Sequence, residues 1–309
     1  MRRVQFDMDV NHGRDELRVF ADNFGSAAEL VEYCKGRKCV SHMEKYDYFN
    51  GAEPNNPEWS DFESREDLMN LIESGVRDEK LLVDAGKYAM TAKVKDQEKL
   101  TRKCMDVAGG AVNVPAFLSG VPTCMHSVTR KKVKSKIVKI GILCDVLCDI
   151  SPERYKRAGE LMTKTVARLE KAGYRIRLLA LNVYEDRDYS SRGNKFDGRR
   201  DVWMVSHMIK RENEPMNYRR IMFPLTRVAY LRGLGFAWMA VNGSPYIYGL
   251  GGLITNLIDD PGECERLIAK ACGEDDYIIL SQDEIIGYIQ RYGDEKAQQM
   301  VDAKVMSLS

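Results

Sequence analysis

Three side chains that could bind a cation or a polar ligand stand between two strongly patterned segments. The apolar run 136–144 predicts a buried strand, and the amphipathic run 153–171 predicts a helix. Asp145, Asp149 and Ser151 lie between them. A strand that delivers carboxylates to the start of a helix is a common ion-binding or ligand-binding place in open α/β proteins. This loop is the strongest candidate site, although no set of catalytic residues in the sequence identifies a reaction.

Strand and helix patterns alternate over the second half of the chain. The alternation predicts an α/β domain over residues 130–309, with a Rossmann-like sheet flanked by helices. The second and third strands are expected to pair as a hairpin. The predicted strands cover residues 136–144, 175–184, 201–209 and 275–280, and the predicted helices cover 153–171, 218–240, 262–271 and 284–292.

Residues 1–129 are predicted to form a separate, mainly helical and irregular N-terminal region. Residues 1–24 are polar and mixed, with little pattern. Helical patterns follow over 27–34 and 64–74, and a third runs from Lys80 to about Val107. We expect this region to pack on the C-terminal domain.

The segment that joins the two regions, 108–125, is apolar, uncharged and interrupted by glycines and prolines. Its prolines argue against a regular helix, so the pattern predicts a buried, extended connector packed on the sheet. The alternative is a loop that contacts a substrate or a partner, because a Gly-Gly pair lets a ligand approach the backbone. The candidate partner-binding residues are Gly109, Gly110, Asn113 and Phe117.

Composition excludes several classes of protein. The 47 Lys and Arg residues nearly balance the 46 Asp and Glu residues, so the protein has no overall positive charge that would favour binding to nucleic acid. No apolar stretch is long enough to predict a membrane span, and the start does not resemble a signal peptide. The eight cysteines therefore predict reduced thiols and a cytoplasmic protein. A local nucleic-acid contact through the basic run 130–136 stays the minority interpretation.

The loop sequence Asp145-Val-Leu-Cys-Asp-Ile-Ser-Pro-Glu-Arg154 resembles the first loop of von Willebrand factor A-type domains, where the strand ends in Asp-x-Ser-x-Ser. Asp145 takes the place of the Asp, Leu147 that of the first Ser and Asp149 that of the second. The later elements also follow that family's order. The resemblance implies a cation site, with Mg²⁺ as its cofactor, formed by Asp145, Asp149, Ser151, Asn217 and Asp283.

One difference from the von Willebrand A-type pattern argues for a degenerate loop, that is, a loop of this type that no longer binds a metal. Leu147 cannot bind a metal, whereas hydroxyls and carboxylates are the ligands that Mg²⁺ prefers. In the degenerate arrangement, the Asp145 carboxylate accepts backbone N–H groups and Asp149 or Ser151 caps the following helix. We favour this arrangement over a working metal site.

The chain also resembles an uncharacterised group of phage-encoded proteins with a C-terminal half of this kind. The shared phrases include Phe24-Gly-Ser-Ala-Ala-Glu-Leu30 and Val112-Asn-Val-Pro-Ala-Phe-Leu-Ser-Gly120. Some von Willebrand A-type proteins of bacteria and phages work with AAA+ ATPases of the MoxR type. The resemblance therefore implies an AAA+ ATPase as partner and, for a phage protein, the host cytoplasm.

These observations predict an interaction or adaptor protein rather than an enzyme. It would present the edge of the sheet around residues 145–151, Asn217 and Asp283 to another protein. One alternative is a divalent-metal hydrolase that acts on a phosphoester through Asp145, Asp149 and Asp283. The other is a nucleic-acid-binding module that uses Arg130–Lys136.

Overall fold

The computed structural model describes residues 1–306 except residues 12, 14, 40, 79, 81–100, 131–135, 187–198, 243–257, 259 and 274–276. The strands are β1 (Arg2–Val10), β2 (Asp15–Phe24), β3 (Thr101–Asp106), β4 (Ala111–Val112), β5 (Met125–Arg130), β6 (Ile137–Leu143), β7 (Arg175–Asp186), β8 (Arg199–Lys210) and β9 (Tyr277–Ser281). The helices are α1 (Ala27–Cys34), α2 (Pro57–Ser60), α3 (Arg65–Ser74), α4 (Val114–Leu118), α5 (Pro152–Lys171), α6 (Tyr218–Thr226), α7 (Phe236–Asn242), α8 (Pro261–Cys272), α9 (Gln282–Tyr292) and α10 (Asp294–Met306).

Six strands form the main sheet in the order β1-β2-β8-β7-β6-β9. The pairs β2–β8, β7–β6 and β6–β9 are parallel, and the pairs β1–β2 and β7–β8 are antiparallel. The predicted α/β class, with helices flanking the sheet, is confirmed, and so is the β7–β8 hairpin. The carboxyl ends of β6, β7 and β9 meet at one edge of the sheet because these three strands run in the same direction.

The N-terminal residues form an outer part of this sheet, which corrects two predictions. Residues 1–24 are not without pattern, because Leu17, Val19 and Ala21 alternate along the buried face of β2. The boundary predicted at residue 129 does not separate two domains, because β2 on one side of it pairs with β8 on the other side in a single sheet. As far as the structure describes it, the N-terminal region is therefore mixed rather than mainly helical, with strands at both of its ends.

Helices pack on both faces of the main sheet. On one face, α5, α6 and α7 share a core with α1 and α3. On the other face, α8 packs against β1 and β2. A π-helical segment, Tyr230–Gly235, joins α6 to α7, so the run 218–240 that was predicted as one helix forms three helical segments, and Pro224 lies inside the first of them. Among the helices of the described part of the chain, none has both the length and the apolar character that a membrane crossing requires.

The approach of α5 to α6 depends on Gly159. A Cβ atom on this residue would lie 1.8 Å from the carbonyl oxygen of Leu225. The hydroxyl of Tyr155, one turn earlier in α5, donates to the carbonyl oxygen of Pro224 at 2.8 Å. The end of α6 therefore lies against the beginning of α5, and the two helices run in opposite directions.

A C-terminal helix, α10, follows the last helix that the sequence predicted. Ala297, Val301 and Val305 recur every fourth residue and are fully buried, so one face of α10 enters the core. The Asp302 carboxylate accepts hydrogen bonds from the Thr165 hydroxyl at 2.6 Å and from the Arg168 guanidinium at 2.9 Å, which ties α10 to α5.

Residues 101–130 form a small second sheet in the order β3-β5-β4, and α4 lies between β4 and β5. We call this unit the arm. The predicted buried connector is wrong, because none of the residues 105–126 is buried. Pro115 stands in the first turn of α4, where a proline removes no helical hydrogen bond. Of the helix predicted from Lys80 to Val107, the last part forms the strand β3 instead, and residues 81–100 lie outside the described residues.

Candidate functional site

The loop after β6 presents three residues to solvent. Val146 and Ile150 are buried, at 6% and 7% exposure, whereas Leu147, Cys148 and Asp149 between them are exposed. The two buried side chains anchor the loop to the core because their exposure to water would be unfavourable. The residues between them are therefore held at the carboxyl edge of the sheet.

Asp145 points into the protein rather than into solvent. Its carboxylate is 4% exposed, and Oδ2 accepts a hydrogen bond from the Val183 N–H at 2.8 Å. The other oxygen, Oδ1, is buried and has no hydrogen-bond partner within the described structure. Burial raises the pKa of Asp145 well above its ordinary value, and the negative charge of Asp283 adds to this rise, while the bond from Val183 opposes it. This is the backbone-bonded arrangement that the degenerate loop predicts.

Two other predicted residues lie at the same edge. The hydroxyl of Ser151 caps α5 by accepting the N–H of Arg154 at 3.4 Å. Asp283 stands in the first turn of α9, half-buried, and burial together with the charge of Asp149 raises its pKa. The structure therefore brings Asp145, Asp149, Ser151 and Asp283 to one edge of the sheet.

Asn217 lies at the opposite edge. Its side-chain oxygen caps α6 by accepting the N–H of Arg220 at 3.3 Å. The next residue, Tyr218, is close enough to Glu170, in the last turn of α5, for that carboxylate to raise its pKa after the larger effect of burial. Since α5 begins at the carboxyl edge and ends at the other, Asn217 is separated from Asp145 by the length of α5.

The predicted Mg²⁺ ligands do not fit a metal site in this arrangement. Hard cations need several converging oxygen atoms. Asn217 is at the wrong edge, Leu147 is apolar, and Oδ2 of Asp145 already accepts the Val183 N–H. Over the described ranges, no three His, Cys, Asp or Glu side chains are placed to hold a metal ion.

Arg232 joins this loop to the segment that contains α2 and α3. Its guanidinium is 1% exposed, donates to the carbonyl oxygen of Ile150 at 2.7 Å and also donates to the carbonyl oxygen of Trp59. It lies 4.4 Å from the centre of the Trp59 ring. The indole N–H of Trp59 donates to the carbonyl oxygen of Cys148 at 3.0 Å. These contacts set the width of the space between the loop and residues 56–70.

That space is an open cleft of about 1240 Å³ at the carboxyl edge of the sheet. Helices α2, α3 and α5 all begin at its wall. Asn56, Ser64 and Ser151 cap these helices, so polar residues at helix starts recur around the cleft. Seven carboxylates line it, those of Glu58, Asp61, Glu63, Glu66, Asp67, Asp149 and Glu153.

The two arginines of the cleft are already engaged. The guanidinium of Arg227 donates to the Asp61 carboxylate at 2.8 Å and to the Asp61 carbonyl oxygen at 2.7 Å. Arg232 is held by backbone carbonyl groups, and its burial lowers its pKa. None of the other six carboxylates forms an ion pair with a residue that the structure describes. The cleft therefore has a strong negative charge, which suits a cationic ligand and opposes an anionic one.

A model of the family described as a domain of unknown function, DUF7192, matches residues 8–303. The chain belongs to the DUF7192 family. The match covers both the cleft and the arm, so both are parts of the family's domain. Comparison with curated proteins gave no match, and neither did comparison with solved structures.

The four predicted partner-binding residues of this DUF7192 chain lie in the arm. Phe117 is 62% exposed. Asn113 caps α4 by accepting the N–H of Ala116 at 3.3 Å. A Cβ atom on Gly109 would lie 2.3 Å from the carbonyl oxygen of His126, so this glycine permits a close approach within the arm. The Gly110 N–H donates to the same oxygen at 3.0 Å. Of the four, Phe117 presents the most side chain to solvent.

Sequence reasoning missed the importance of Arg232 and of residues 56–70. A signal was present, because Arg232 is a lone charge within the apolar run 228–241. Such a charge is rarely buried unless its donors find acceptors. The acceptors come from two distant parts of the chain, which a local pattern does not show.

Proposed function

We propose that this chain is a protein-interaction or adaptor protein that binds a positively charged segment of a partner protein in its acidic cleft. The observation that carries the proposal is the cleft itself, in which six carboxylates surround an open volume of about 1240 Å³ and form no ion pair with a described residue. This is above the range of about 300–1,000 Å³ that is typical of small-molecule pockets. An extended peptide segment is a better match in size.

Electrostatics favour the same ligand. Carboxylates on the low-dielectric wall of a cleft concentrate a negative potential, which attracts and orients a cationic segment. Lys and Arg side chains would form charge-assisted hydrogen bonds to Asp149, Glu153, Glu63 and Glu66. The caps and the buried contacts of Arg232 hold these carboxylates in place before binding, which limits the entropy lost on association.

The order of elements supports a von Willebrand A-like description of the C-terminal half. A strand, an acidic loop, a helix, a hairpin, a helix and a strand occur here as β6, residues 144–151, α5, β7–β8, α6 and β9. An AAA+ ATPase of the MoxR type is the partner that this description implies. The relation to phage-encoded proteins stays a prediction from the sequence.

The two alternative functions receive less support from the geometry. A phosphoester or a nucleic acid would bring negative charge to a negatively charged cleft. Asp145, the proposed centre of a hydrolase, is buried and accepts a backbone N–H. Of the basic run 130–136, residues 131–135 lie outside the described residues.

Binding of a labelled Lys/Arg-rich peptide, measured by fluorescence anisotropy, tests the proposal. The double charge reversal Asp149→Lys with Glu153→Lys should weaken binding by at least about tenfold, a loss of roughly 1.4 kcal/mol. Glu295→Lys, at an exposed site of α10 that does not line the cleft, is the matched control and should bind like wild type. Binding should also weaken as salt concentration rises.

Two results would refute the proposal. One is equal affinity of the wild type and the double variant for the cationic peptide. The other is binding of an acidic peptide of the same length as tightly as the basic one. Either result would mean that the charge of the cleft does not determine what the protein binds.

A further inference from the structure

Exposed apolar side chains are concentrated in the arm. Of the eleven large apolar residues that are exposed in the described part of the chain, seven lie between Met105 and Val121. Single exposed apolar residues are common and do not indicate an interface, whereas a contiguous apolar patch does. The arm is therefore an interaction surface separate from the acidic cleft.

Four of these residues form a ridge. Val114, Phe117, Leu118 and Val121 follow the i, i+3, i+4, i+7 spacing and are 58%, 62%, 78% and 42% exposed. This spacing places them on one side of α4 and of the turn that follows it. The Val121 N–H donates to the carbonyl oxygen of Ala116 at 3.0 Å, which holds the turn against the helix. The ridge is thus formed before anything binds to it.

The described side chains of the arm form no core of their own. None of the residues 105–126 is buried, and neither hydrophobic core of the protein includes any of them. A small sheet needs a buried apolar face, or a helix packed on it, to be stable by itself. Within the described residues, nothing covers the ridge, so it is a surface on which a second molecule can pack.

A second copy of the chain has the right chemistry and size. Residues 107–125 contain no charged side chain, in a protein whose residues are 30% charged. An uncharged ridge can meet its own copy without like-charge repulsion. The seven exposed apolar side chains of the arm, of which the ridge supplies four, amount to an area on the order of 600 Å² per copy. This is below the roughly 800 Å² per partner of a standard interface and equals about the lower limit for a specific one. We propose that the ridge of one copy packs against the same ridge of a second copy in a two-fold symmetric dimer.

The dimer carries two acidic clefts. Two linked sites bind a partner with two cationic segments more tightly than one site does, because the second contact forms within the complex. This inference goes beyond the proposed function, and its test does not depend on a peptide ligand.

Light scattering coupled to size-exclusion chromatography, under reducing conditions and at several protein concentrations, tests the proposal. The wild type should have twice the mass of the single chain, and Phe117→Asp should halve that mass. Ile137→Asp is the matched control, because it adds the same charge at a 53% exposed apolar site outside the arm. Circular dichroism checks that each variant is folded.

A second measurement keeps the test decisive if Phe117→Asp fails to fold. Hydrogen exchange of the wild type should show that amides within residues 107–125 become more protected as protein concentration rises. Leu118→Ser, at the most exposed position of the ridge, should reduce the dimer fraction without adding a charge. A monomeric wild type, a dimeric Phe117→Asp variant, an equal loss of mass in Ile137→Asp, or protection that is independent of concentration would overturn the proposal.

Discussion

Replacing Asp145 by Asn isolates the effect of burying one carboxyl group. In the wild type, Oδ2 accepts the Val183 N–H at 2.8 Å and Oδ1 is buried without a partner in the described structure. An Asn side chain has nearly the same shape and keeps an oxygen for Val183, but it has no charge at any pH. The variant should therefore be more stable than the wild type at neutral pH.

The size of this effect depends on pH. Burial raises the pKa of Asp145 in the folded protein, whereas in the unfolded chain it lies near its ordinary value of 3.8. The stability that this group contributes is fully present below pH 3.8 and is lost as pH rises through the folded pKa. The loss is about 1.4 kcal/mol per pH unit within this window. Asn does not titrate, so Asp145→Asn does not lose this stability. Its free energy of unfolding relative to the wild type should therefore rise by about 1.4 kcal/mol per pH unit in the same window.

Urea unfolding at several pH values between about 4 and 8 measures the difference in free energy of unfolding. The amide group of Asn leaves one buried atom unpaired, as Oδ1 does in the wild type, so the two proteins should be nearly equal at the acidic end. Asp149→Asn, at the exposed position of the same loop, is the control and should change stability by no more than about 0.5 kcal/mol.

A difference that stays constant with pH would refute the reasoning, because it would mean that Asp145 titrates alike in the folded and unfolded states. A variant that is less stable than the wild type at pH near 8 would contradict it more strongly. The wild-type carboxylate would then be ionised and stabilised by a positive partner, a bound cation included.

Three further outcomes are expected. Gly159→Ala should destabilise the fold by about 1–3 kcal/mol or more, because its Cβ would lie 1.8 Å from the Leu225 carbonyl oxygen. The control Gly287→Ala, which adds a Cβ in open space in α9, should instead stabilise the fold by about 0.5–1 kcal/mol. Urea unfolding measures both changes. Burial lowers the pKa of His207 from 6.5 to about 4, so the stability that this group contributes is lost as pH falls through that window. The difference in free energy of unfolding between His207→Asn and the wild type should therefore shift in favour of the variant as pH falls from about 6.5 to about 4 in the same denaturation series. Millimolar Mg²⁺ should leave the thermal midpoint unchanged, since the predicted ligands do not converge; a rise in midpoint that Asp145→Ala abolishes would contradict this.

Local patterns were sufficient for the elements around the candidate site. The apolar run 136–144 and the amphipathic run 153–171 correspond to β6 and α5 within one residue at each end. Ser26 and Asp260, each directly before the first residue of a helix, cap α1 and α8. These features could be predicted because strand and helix periodicity and capping depend on residues that are neighbours in the sequence.

Features that depend on distant parts of the chain were not predicted. The period-two alternation in β2 was present in the sequence, but a strand also needs a partner. That partner is β8, almost two hundred residues later in the chain, which a local pattern does not show. The apolar arm was expected to be buried, because an apolar segment alone does not show whether another part of the chain covers it. Burial is a property of the whole fold, so composition does not determine it.

The same distinction applies to the candidate site. By itself, the sequence determined that Asp145 and Asp149 follow a buried strand and that Asp149 or Ser151 caps the next helix. Only the tertiary structure decided that the Asp145 carboxylate turns inward to Val183, and that the antiparallel run of α6 places Asn217 at the far edge. It also decided that Arg232 and residues 56–70 complete an acidic cleft. The physical reason is that charge and burial depend on which distant segments meet in space, whereas propensity and capping act within a few residues.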